Sequence, residues 1–416
     1  MKPDLTTLHG MQLMARNQRL SSRLERFNES MLSLAHTYLR PVMSAADREV
    51  IVEDHLCGGM RRMLMFASNN YLGLANHPHV QRCVEKAIVE QGCGIGGPPL
   101  LNGYTKIIRE LEEKLAAFKN EEAAMVFSSG FMANQGLMSA LAGKNDVILF
   151  DELSHASFYE GIRATKARVQ PFDHNDIDKL ELLLNLYAPH TRGTIFVCVE
   201  GVYSMNGDLA PLDRIAALCK KFSATLIVDD AHGTGVLGDN GRGTAFHFKC
   251  SEEVDVTMGT FSKVFATCGG FITGSRDLIQ YLRYYARTYM FSASIPPPVA
   301  ATVLGGLDVL EREPWLRLAL LANVRYAVGR LSHLEFCVSP GAAIISIKPP
   351  DGLDIKKAAL ELHRRNIFIN AIEYPAVPMS ESRFRISIMA THTRDDINRL
   401  VEAIDEVWAL ANTNLL

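Results

Sequence analysis

The feature that most constrains this chain is an alternation of short apolar runs with helix-length amphipathic stretches between residues 123 and 275. The apolar runs are continuous and rich in Val, Ile and Leu; they cover residues 123–128, 146–150, 194–199, 225–229 and 254–258. Strands that are buried on both faces have this composition, and parallel strands need a crossover, usually a helix, between them. The sequence therefore predicts an α/β domain with a mainly parallel sheet covered by helices on both faces.

The pattern changes after about residue 300. The predicted elements there are a helix over 300–333, a strand over 342–348, a helix over 354–365, strands over 367–372 and 383–389, and a last helix with Thr393 as N-cap and Asp396 three residues later. This order predicts a smaller α+β domain over residues 300–416. Residues 1–58 are polar and weakly periodic and are predicted to form an arm, which leaves 59–299 as the large domain.

Charge and hydropathy exclude several classes of protein. Lys and Arg number 43 against 46 Asp and Glu, a net charge of −3, which gives no field to attract nucleic acid or an acidic membrane. No apolar run approaches the ~20 residues of a spanning helix, and no secretory signal is visible, so we expect a cytoplasmic protein; peripheral membrane contact stays open. The eight cysteines are scattered, without a C-x-x-C pair or a histidine at ligand spacing, which predicts reduced core thiols and no metal site.

A glycine-rich segment, Gly92–Gly97, matches the dinucleotide-binding pattern G-x-G-x-x-G. That pattern requires a strand before it and a helix after it. The preceding residues instead place Val80, Val84 and Ile88 at helical spacing. We therefore expect a glycine turn and not a nicotinamide site.

Polar residues follow the ends of neighbouring apolar runs, where ligands bind in parallel sheets. Lys263 lies just past one run, in GTFSK, and a lysine in such a place can form a Schiff base with an aldehyde cofactor. Asp229 ends a neighbouring run, three residues before His232, and an acid there would keep the ring nitrogen of a pyridoxal cofactor protonated. Taken alone, Lys263 is more typical of a structural or surface residue, and the alternative for Asp229 is a buried structural carboxylate that caps a helix, but the pair predicts a pyridoxal site.

Two further elements fit such a site. The segment Ser128–Phe131 precedes a predicted helix near Met132, whose free N–H groups suit a phosphate, and Thr260 and Ser262 could add hydroxyls. His155 follows the next run and could lie over an aromatic ring, although a lone histidine there is more often a loop residue.

The last element is a pair of arginines, Arg383 and Arg385, on one face of a predicted strand together with Ser387. An arginine fork suits a substrate carboxylate. The alternative is a solvated edge strand.

Ten segments, taken in chain order between about residues 60 and 410, resemble those of the α-oxoamine synthases. The segments are FASNNYLGLANHP, LEEKLAAF, SSGFMANQG, SHAS, EGVYSMNGDLAPL, VDDAHGTGVLGDNGRG, GTFSK, GGFITGS, ARTYMFSASIPP and FRISIMATHT. Members of that family are pyridoxal-phosphate enzymes of fold type I that join an amino acid to an acyl-CoA with loss of carbon dioxide. The resemblance implies a large domain with a mainly parallel seven-stranded sheet, a smaller C-terminal α+β domain and pyridoxal 5'-phosphate (PLP) as the cofactor.

The resemblance also implies roles for individual residues. Lys263 would form the Schiff base with the cofactor and move the Cα proton, Asp229 would bind the ring nitrogen, and His155 would stack on the ring. The other implied positions are His232 and Ser204 at the ring oxygen, Gly130, Phe131 and Thr260 at the phosphate, Ser292 from a partner subunit, and Asn69 and Arg385 at the substrate carboxylate. Because Ser292 would cross an interface, a homodimer with composite sites is expected.

Within the family, GTFSK with GGFI, ARTYMFSAS and MATHT look most like bacterial serine palmitoyltransferases, which implies L-serine and a long-chain acyl-CoA as substrates and 3-ketodihydrosphingosine as product. The 8-amino-7-oxononanoate synthases and 2-amino-3-ketobutyrate ligases, which use alanine or glycine, usually carry Gly where Ser262 stands, but DDAHGTG looks closer to them. Two functions outside the family stay open, that of an aminotransferase and that of a non-catalytic partner subunit. Pro98 and Pro99 stand where relatives usually carry an arginine, which leaves acyl-chain and CoA recognition open.

Overall fold

The computed structural model describes residues 20–22, 24–25, 39–54, 58–337, 341–373 and 377–411. Contacts divide the chain into two compact units. The larger unit comprises Asn69–Ser204 and Asp208–Ala319; the second comprises the described residues up to Ser68, Met205–Gly207 and the described part of Leu320–Leu416. Most of the predicted arm, residues 1–58, lies outside the described residues, and the predicted domain boundaries at 58 and 299 stay a prediction.

The secondary structure follows the sequence pattern closely. The strands are β1 Glu49–Glu53, β2 Met60–Met65, β3 Ala123–Phe127, β4 Val147–Asp151, β5 Arg168–Phe172, β6 Ile195–Glu200, β7 Thr225–Asp229, β8 Val256–Thr260, β9 Gly270–Gly274, β10 Ile344–Ile347, β11 Ile367–Phe368, β12 Asn370–Ile372 and β13 Arg383–Ser387. The helices are α1 Pro78–Gln91, α2 Lys106–Lys119, α3 Gly130–Leu141, α4 Ala156–Arg163, α5 Ile177–Tyr187, α6 Leu212–Phe222, α7 Thr244–His247, α8 Arg276–Tyr285, α9 Arg287–Met290, α10 Pro297–Arg312, α11 Pro314–Arg330, α12 Ile355–Arg364 and α13 Arg394–Ala411.

A seven-stranded sheet forms the centre of the larger unit, with strand order β3-β9-β8-β7-β6-β4-β5. The pairs β4–β5, β4–β6, β6–β7 and β7–β8 are parallel, and β9 runs antiparallel to both β3 and β8. This confirms the predicted fold class, and each of the five predicted strands lies within two residues of an observed one.

Helices bury both faces of the central strands of this sheet, which explains why β4, β6 and β7 are largely apolar. Successive strand residues point to opposite faces, so Val197 packs with α5 and α6 whereas its neighbour Cys198 packs with α3 and α4. Each fully buried Val or Leu side chain contributes about 1.5–3 kcal/mol. The charged residues Asp151, Glu200 and Asp229 therefore stand at the ends of their strands, β4, β6 and β7.

The second unit contains two small sheets. In one, β2 pairs antiparallel with β1 and parallel with β11; in the other, β13 lies between β10 and β12 and runs antiparallel to both. The capping box at the last helix is confirmed: the Thr393 N–H donates to Asp396 Oδ2 at 2.8 Å, and the Asp396 N–H donates to Thr393 Oγ1 at 3.1 Å.

Two predicted elements of the C-terminal part were wrong in their extent. The helix predicted over 300–333 is two helices, α10 and α11, because Glu313 leaves the helical conformation (φ −126°, ψ 57°) and Pro314 has no N–H to continue the first helix. The strand predicted over 367–372 is also divided, since β11 pairs with β2 while β12 pairs with β13.

The glycine segment behaves as predicted. Helix α1, not a strand, precedes it, and both Gly92 (φ 80°) and Gly96 (φ 77°) adopt backbone conformations that favour glycine. After this turn, the proline pair Pro98–Pro99 begins a short helical turn, Pro99–Gly103. Among the described residues, no helix is both long and apolar enough to cross a membrane.

Candidate active site

A cavity of about 260 Å³ opens where the parallel strands of the larger unit end. Its walls come from the segments that follow β3, β4, β6, β7 and β8. The predicted site residues that line it are Gly130, Phe131, His155, Ser204, Asp229, His232, Thr260 and Lys263. Residues far apart in the chain thus meet because parallel strands present their carboxyl ends at one edge of a sheet.

Lys263 lies in a tight loop between β8 and β9. Its neighbours Phe261, Val264 and Phe265 are fully buried, which anchors the loop on both sides of the lysine. The Thr267 N–H donates to the Phe261 carbonyl at 3.0 Å and closes the loop. The Lys263 side chain is half-buried and lines the cavity.

Asp229, at the end of β7, is buried and has a partner for each carboxylate oxygen. Oδ2 accepts from Asn134 Nδ2 at 2.7 Å, and Oδ1 accepts from the Ala231 N–H at 3.0 Å. Burial raises the pKa of Asp229, and the nearby His155 and the Asn134 hydrogen bond act against that rise. The carboxylate is therefore held in one orientation beside the cavity.

His155 is the N-cap of α4, where its Nδ1 accepts from the Ser157 N–H at 3.2 Å. Nδ1 also lies 2.8 Å from Ser157 Oγ, which in turn accepts from Asn134 Nδ2 at 2.9 Å. Burial lowers the pKa of His155, so its imidazole is neutral near pH 7. A continuous chain, Asp229–Asn134–Ser157–His155, therefore fixes the two predicted catalytic groups relative to each other.

A second chain of hydrogen bonds reaches His232. The buried Tyr71 hydroxyl lies 2.7 Å from His232 Nδ1 and donates to Asn69 Oδ1 at 3.1 Å. Asn69 does not itself line the cavity, but Tyr71 connects it to His232, which does. The Tyr71 hydroxyl thus connects Asn69, predicted to bind the substrate, to His232, predicted to bind the cofactor.

Where α3 begins, the backbone that lines the cavity is very closely packed. Ser129 caps α3 by accepting from the Met132 N–H at 3.1 Å, and Gly130 begins the helix. A Cβ on Gly130 would lie 2.9 Å from Thr260, and one on Gly270 would lie 2.6 Å from the Gly130 Cα, so both positions require glycine. Because the first N–H groups of a helix have no helical partner, this end suits a phosphate.

Glu200 ends β6 directly beside Asp229, its partner in the strand register. It accepts from the Ser204 N–H at 3.3 Å and from the backbone of His155, whereas its Oε1 has no hydrogen-bond partner among the described residues. Burial, and secondly the charge of Asp229, raise the pKa of Glu200 well above its usual range. Through these hydrogen bonds the carboxyl group connects the two loops that carry Ser204 and His155.

Besides Asn69, two predicted residues lie outside the cavity lining. Ser292 is half-buried and does not line the cavity, although the next residue, Ala293, accepts a hydrogen bond from Ser128 Oγ. Arg385 belongs to the second unit, on β13, where its Nη1 donates to Ser387 Oγ at 3.1 Å. Both Arg383 and Arg385 are buried on the central strand of their sheet, so the interpretation as a solvated edge strand is wrong.

Sequence reasoning missed Asn134, Ser157, Tyr71 and Glu200 as site residues. Asn134 carried a usable signal, because it is a polar residue between Ala133 and Leu137 on the buried face of α3. Tyr71 and Ser157 carried none beyond their place in family segments. Their importance depends on which atoms they touch, and only the fold determines that.

Comparison with known proteins agrees with this geometry. The family model for aminotransferase class I and II matches residues 61–404. A serine palmitoyltransferase of Sphingobacterium spiritivorum is 38% identical over 404 residues, covering 96% of this chain and 99% of the relative. A putative 8-amino-7-oxononanoate synthase of Acetivibrio thermocellus is 42% identical over 338 residues, covering 81% of this chain and 86% of the relative.

Among solved structures, a serine palmitoyltransferase of S. paucimobilis with a bound PLP–myriocin aldimine superposes with a TM-score of 0.88 at 29% identity, covering 95% of this chain and 100% of that one. Sequence, fold and cavity therefore lead to the same assignment, and the resemblance seen in the ten segments is confirmed. The chain belongs to the α-oxoamine synthases, PLP-dependent acyltransferases within the class I and II aminotransferase family.

Proposed function

We propose that this enzyme condenses L-serine with a long-chain acyl-CoA, with loss of carbon dioxide and CoA, to give 3-ketodihydrosphingosine, a sphingolipid precursor. The observation that carries the proposal is the convergence of Lys263, Asp229 and His155 on one cavity in a chain of this family. Preference for serine is supported by the segments GTFSK, ARTYMFSAS and MATHT and by the relatives named serine palmitoyltransferase.

The cavity residues fit PLP. When bound, PLP supplies an aldehyde that condenses with amines and a ring that takes up negative charge from the substrate Cα. The close-packed backbone at Gly130 and Gly270 leaves helix N–H groups for the phosphate, together with Phe131 and Thr260. At the other end, Asp229 would hold the ring nitrogen, His155 the ring face, and His232 and Ser204 the ring oxygen.

Lys263 is assigned the proton transfers at the substrate Cα. It is the one primary amine among the described residues that line the cavity, and its loop is anchored on both sides. A general base must lie within hydrogen-bonding reach of the proton that it removes, and a fixed loop satisfies this requirement. Asp229 is assigned to keep the ring nitrogen protonated, because Asn134 and Ala231 hold its carboxylate in place.

Arg385 and Asn69 are assigned to the substrate carboxylate. An arginine binds a carboxylate through two parallel hydrogen bonds, which fixes the plane of the group as well as its position. Such fixation would set the bond to be broken perpendicular to the cofactor ring, where overlap with the ring is greatest. The hydrogen bond from Arg385 to Ser387 restricts the guanidinium to few orientations.

The functional form is proposed to be a homodimer. Ser292 is assigned to the cofactor phosphate of the partner subunit, as the family resemblance implies, and each site would then need both chains. The exposed Phe291 next to it and the stacked pair Tyr281–Tyr285 are apolar surface of a kind that interfaces cover.

A second candidate function is favoured by a specific observation. Relatives named 8-amino-7-oxononanoate synthase are as similar to this chain as those named serine palmitoyltransferase, and DDAHGTG resembles the former. A sister synthase that uses alanine or glycine is therefore the second candidate.

A substrate survey separates these candidates. Purified holoenzyme is incubated with L-serine, L-alanine, glycine or L-threonine and with short- or long-chain acyl-CoA, and CoA release is followed with a thiol reagent. We expect the highest kcat/KM with L-serine and a long-chain acyl-CoA, and mass spectrometry should identify the aminoketone. A preference for alanine or glycine would transfer the enzyme to the sister group, and amino-group transfer without CoA release would indicate an aminotransferase.

A further inference from the structure

A cluster of metal-ligating side chains lies away from the cavity, in the larger unit, where α1 packs on α10. His79 and Cys83 are one turn apart on α1, and Asp308 projects from α10. All three side chains are partly exposed, and none lines the active-site cavity. The proposed condensation does not use them.

The distances from His79 to the other two donor atoms are close to those of a tetrahedral zinc site. Zn–N, Zn–S and Zn–O bonds of about 2.0, 2.3 and 2.0 Å at tetrahedral angles give an N···S edge of about 3.6 Å and an N···O edge of about 3.3 Å. The His79 Nε2–Cys83 Sγ distance is 3.6 Å and the His79 Nε2–Asp308 Oδ2 distance is 3.0 Å. All three ligand atoms lie within 4.8 Å of one another.

A glycine on α10 allows the two helices to pack closely enough to bring the donor atoms together. Gly305, one turn before Asp308 on α10, faces Cys83: a Cβ there would lie 3.2 Å from Sγ, a tight contact. A larger residue would push α1 away from α10 and spread the donor atoms. The other carboxylate oxygen of Asp308, Oδ1, pairs with Lys114 of α2, which orients the carboxylate as outer hydrogen bonds do at metal sites.

We propose that His79, Cys83 and Asp308 form a zinc site, with water as the fourth ligand. A mixed nitrogen, sulfur and oxygen set suits Zn²⁺, whereas Mg²⁺ and Ca²⁺ take oxygen ligands. As the Zn–S bond forms, the thiol proton of Cys83 passes to solvent, and no electron is transferred. The site joins α1 to α10, so its effect is to stabilise the packing of these two helices, of which α1 directly precedes the Gly92–Gly97 turn.

The expectation that no cysteine has a histidine at ligand spacing was therefore wrong for this pair. Residues four apart on a helix lie on one face, and His79 and Cys83 have that spacing. The signal was present in the sequence, but the third ligand comes from residue 308, more than two hundred residues later, and cannot be found from spacing.

The direct test is a zinc titration of the metal-stripped holoenzyme against a chromophoric chelator. We expect one Zn²⁺ per chain, bound at least about 100-fold more weakly by Cys83→Ala and by His79→Ala. Cys93→Ala and Cys268→Ala, which remove exposed thiols outside the cluster, should bind as the wild type does. Unchanged affinity in Cys83→Ala and His79→Ala would overturn the proposal.

Cobalt(II) provides a second readout that does not depend on affinity. Tetrahedral thiolate-bound cobalt absorbs in the visible beyond the absorption of PLP, and this absorption should appear in the wild type and disappear in Cys83→Ala. Saturating Zn²⁺ should also raise the melting temperature of the wild type by about 3 °C or more, and leave that of Cys83→Ala unchanged. Circular dichroism without metal establishes that the variants fold. Cobalt spectra without thiolate absorption in the wild type would contradict the assigned ligand set, whatever the zinc stoichiometry.

Discussion

At the scale of single residues, the chemistry proposed for the cavity depends on one amine, one acid and the hydrogen bonds that hold the acid. Lys263 is the one primary amine among the described cavity residues. Hydrogen bonds through Asn134 and Ser157 connect Asp229 to His155. Each of these groups can be removed without changing the sheet that carries it, so each can be tested alone.

Replacing Lys263 with Ala should lower kcat by at least about 10³-fold, because no other primary amine among the described residues lines the cavity, where the Cα proton would be moved. The protein should still fold, since the buried Phe261 and Phe265 anchor the loop. Steady-state assays and circular dichroism measure the two properties. Lys166→Ala, which removes an exposed lysine, is the matched control, and full activity in Lys263→Ala would refute the mechanism.

Replacing Asn134 with Ala should weaken PLP binding and lower kcat by roughly 10- to 100-fold. The change removes the 2.7 Å hydrogen bond to the buried Asp229 carboxylate, and a bond of this charged kind is worth about 1.5–3 kcal/mol. Equilibrium dialysis of PLP and kcat measurements test this. Asn145→Ala, at an exposed position, should change neither quantity, and a normal PLP affinity in Asn134→Ala would show that the chain of hydrogen bonds is dispensable.

Replacing Arg385 with Ala should raise the amino-acid KM by roughly 10- to 100-fold while the acyl-CoA KM changes little, since the loss is one charged pair worth about 1.5–3 kcal/mol. Initial rates with each substrate varied in turn provide the measurement. Arg399→Ala removes an exposed arginine of the same unit and serves as the control. Equal effects on both KM values would mean that Arg385 has been misassigned.

Sequence reasoning reached the residues that carry the chemistry more readily than the residues that hold them. Lys263 and Asp229 could be identified because a charged residue at the end of an apolar strand is unusual and needs a reason. Tyr71 and Ser157 could not, because hydroxyl residues are common and their partners, His232 and His155, are chosen by tertiary packing.

At the scale of elements, the strand ends are fixed by polar groups buried beneath them. Lys119, the last residue of α2, donates to Asp230 Oδ2 at 2.7 Å and to Thr234 Oγ1 at 2.8 Å. Asp230 also accepts from the N–H and hydroxyl of Thr244, so the loop that carries His232 is held at several points. Both ionic side chains are almost completely buried.

Replacing Lys119 with Met should lower the free energy of unfolding by about 3–5 kcal/mol, because Asp230 would stay buried without its charged partner. Urea denaturation of the holoenzyme measures this. Lys86→Met, which removes an exposed i,i+4 pair with Glu90, should change stability by less than about 0.5 kcal/mol. A loss below about 1 kcal/mol in Lys119→Met would show that water replaces the lysine.

The boundaries of an element could be predicted from the sequence where a local signal determines them. They could not be predicted where strand pairing determines them. The capping box at Thr393 is local, and it was predicted and confirmed. The division of 367–372 into β11 and β12 depends on two different partner strands, β2 near the start of the chain and β13 after this segment, so a local pattern of apolar residues could not show it.

At the scale of the whole molecule, stability should depend on pH through His174. Its Nδ1 lies 3.0 Å from Asp151 Oδ1 and its Nε2 lies 2.7 Å from Asp208 Oδ2. Burial alone would lower the pKa of His174, but the hydrogen bonds and charges of the two carboxylates raise it from 6.5 to about 9. The cluster joins the end of β4, where Asp151 lies, and the segment after β5, where His174 lies, to the segment after β6 that carries Asp208.

Because the folded state holds this proton more tightly than the unfolded state, the stabilisation is fully present below pH 6.5 and is lost as the pH rises through about 9. His174→Gln should therefore lower the unfolding free energy by about 1.5–3 kcal/mol at pH 6, and the difference from wild type should shrink towards pH 9.5. Urea denaturation at several pH values tests this, with the exposed His333→Gln as control. If the difference in unfolding free energy between His174→Gln and the wild type did not vary with pH, His174 would not be a protonated imidazole that is hydrogen-bonded to both carboxylates.

The sequence by itself determined the fold class, the order of the strands along the chain and the family. These follow from local hydropathy and from the ten family segments in chain order, and neither requires any knowledge of contacts. It also identified Lys263, Asp229, His155 and His232, which lie at strand ends that one sheet edge must gather. Only the tertiary structure decided the partners: Asn134 for Asp229, Tyr71 for His232, and Asp308 for His79. Hydrogen bonds span about 3 Å and zinc–ligand bonds about 2 Å, and such short distances between residues far apart in the chain are set by packing.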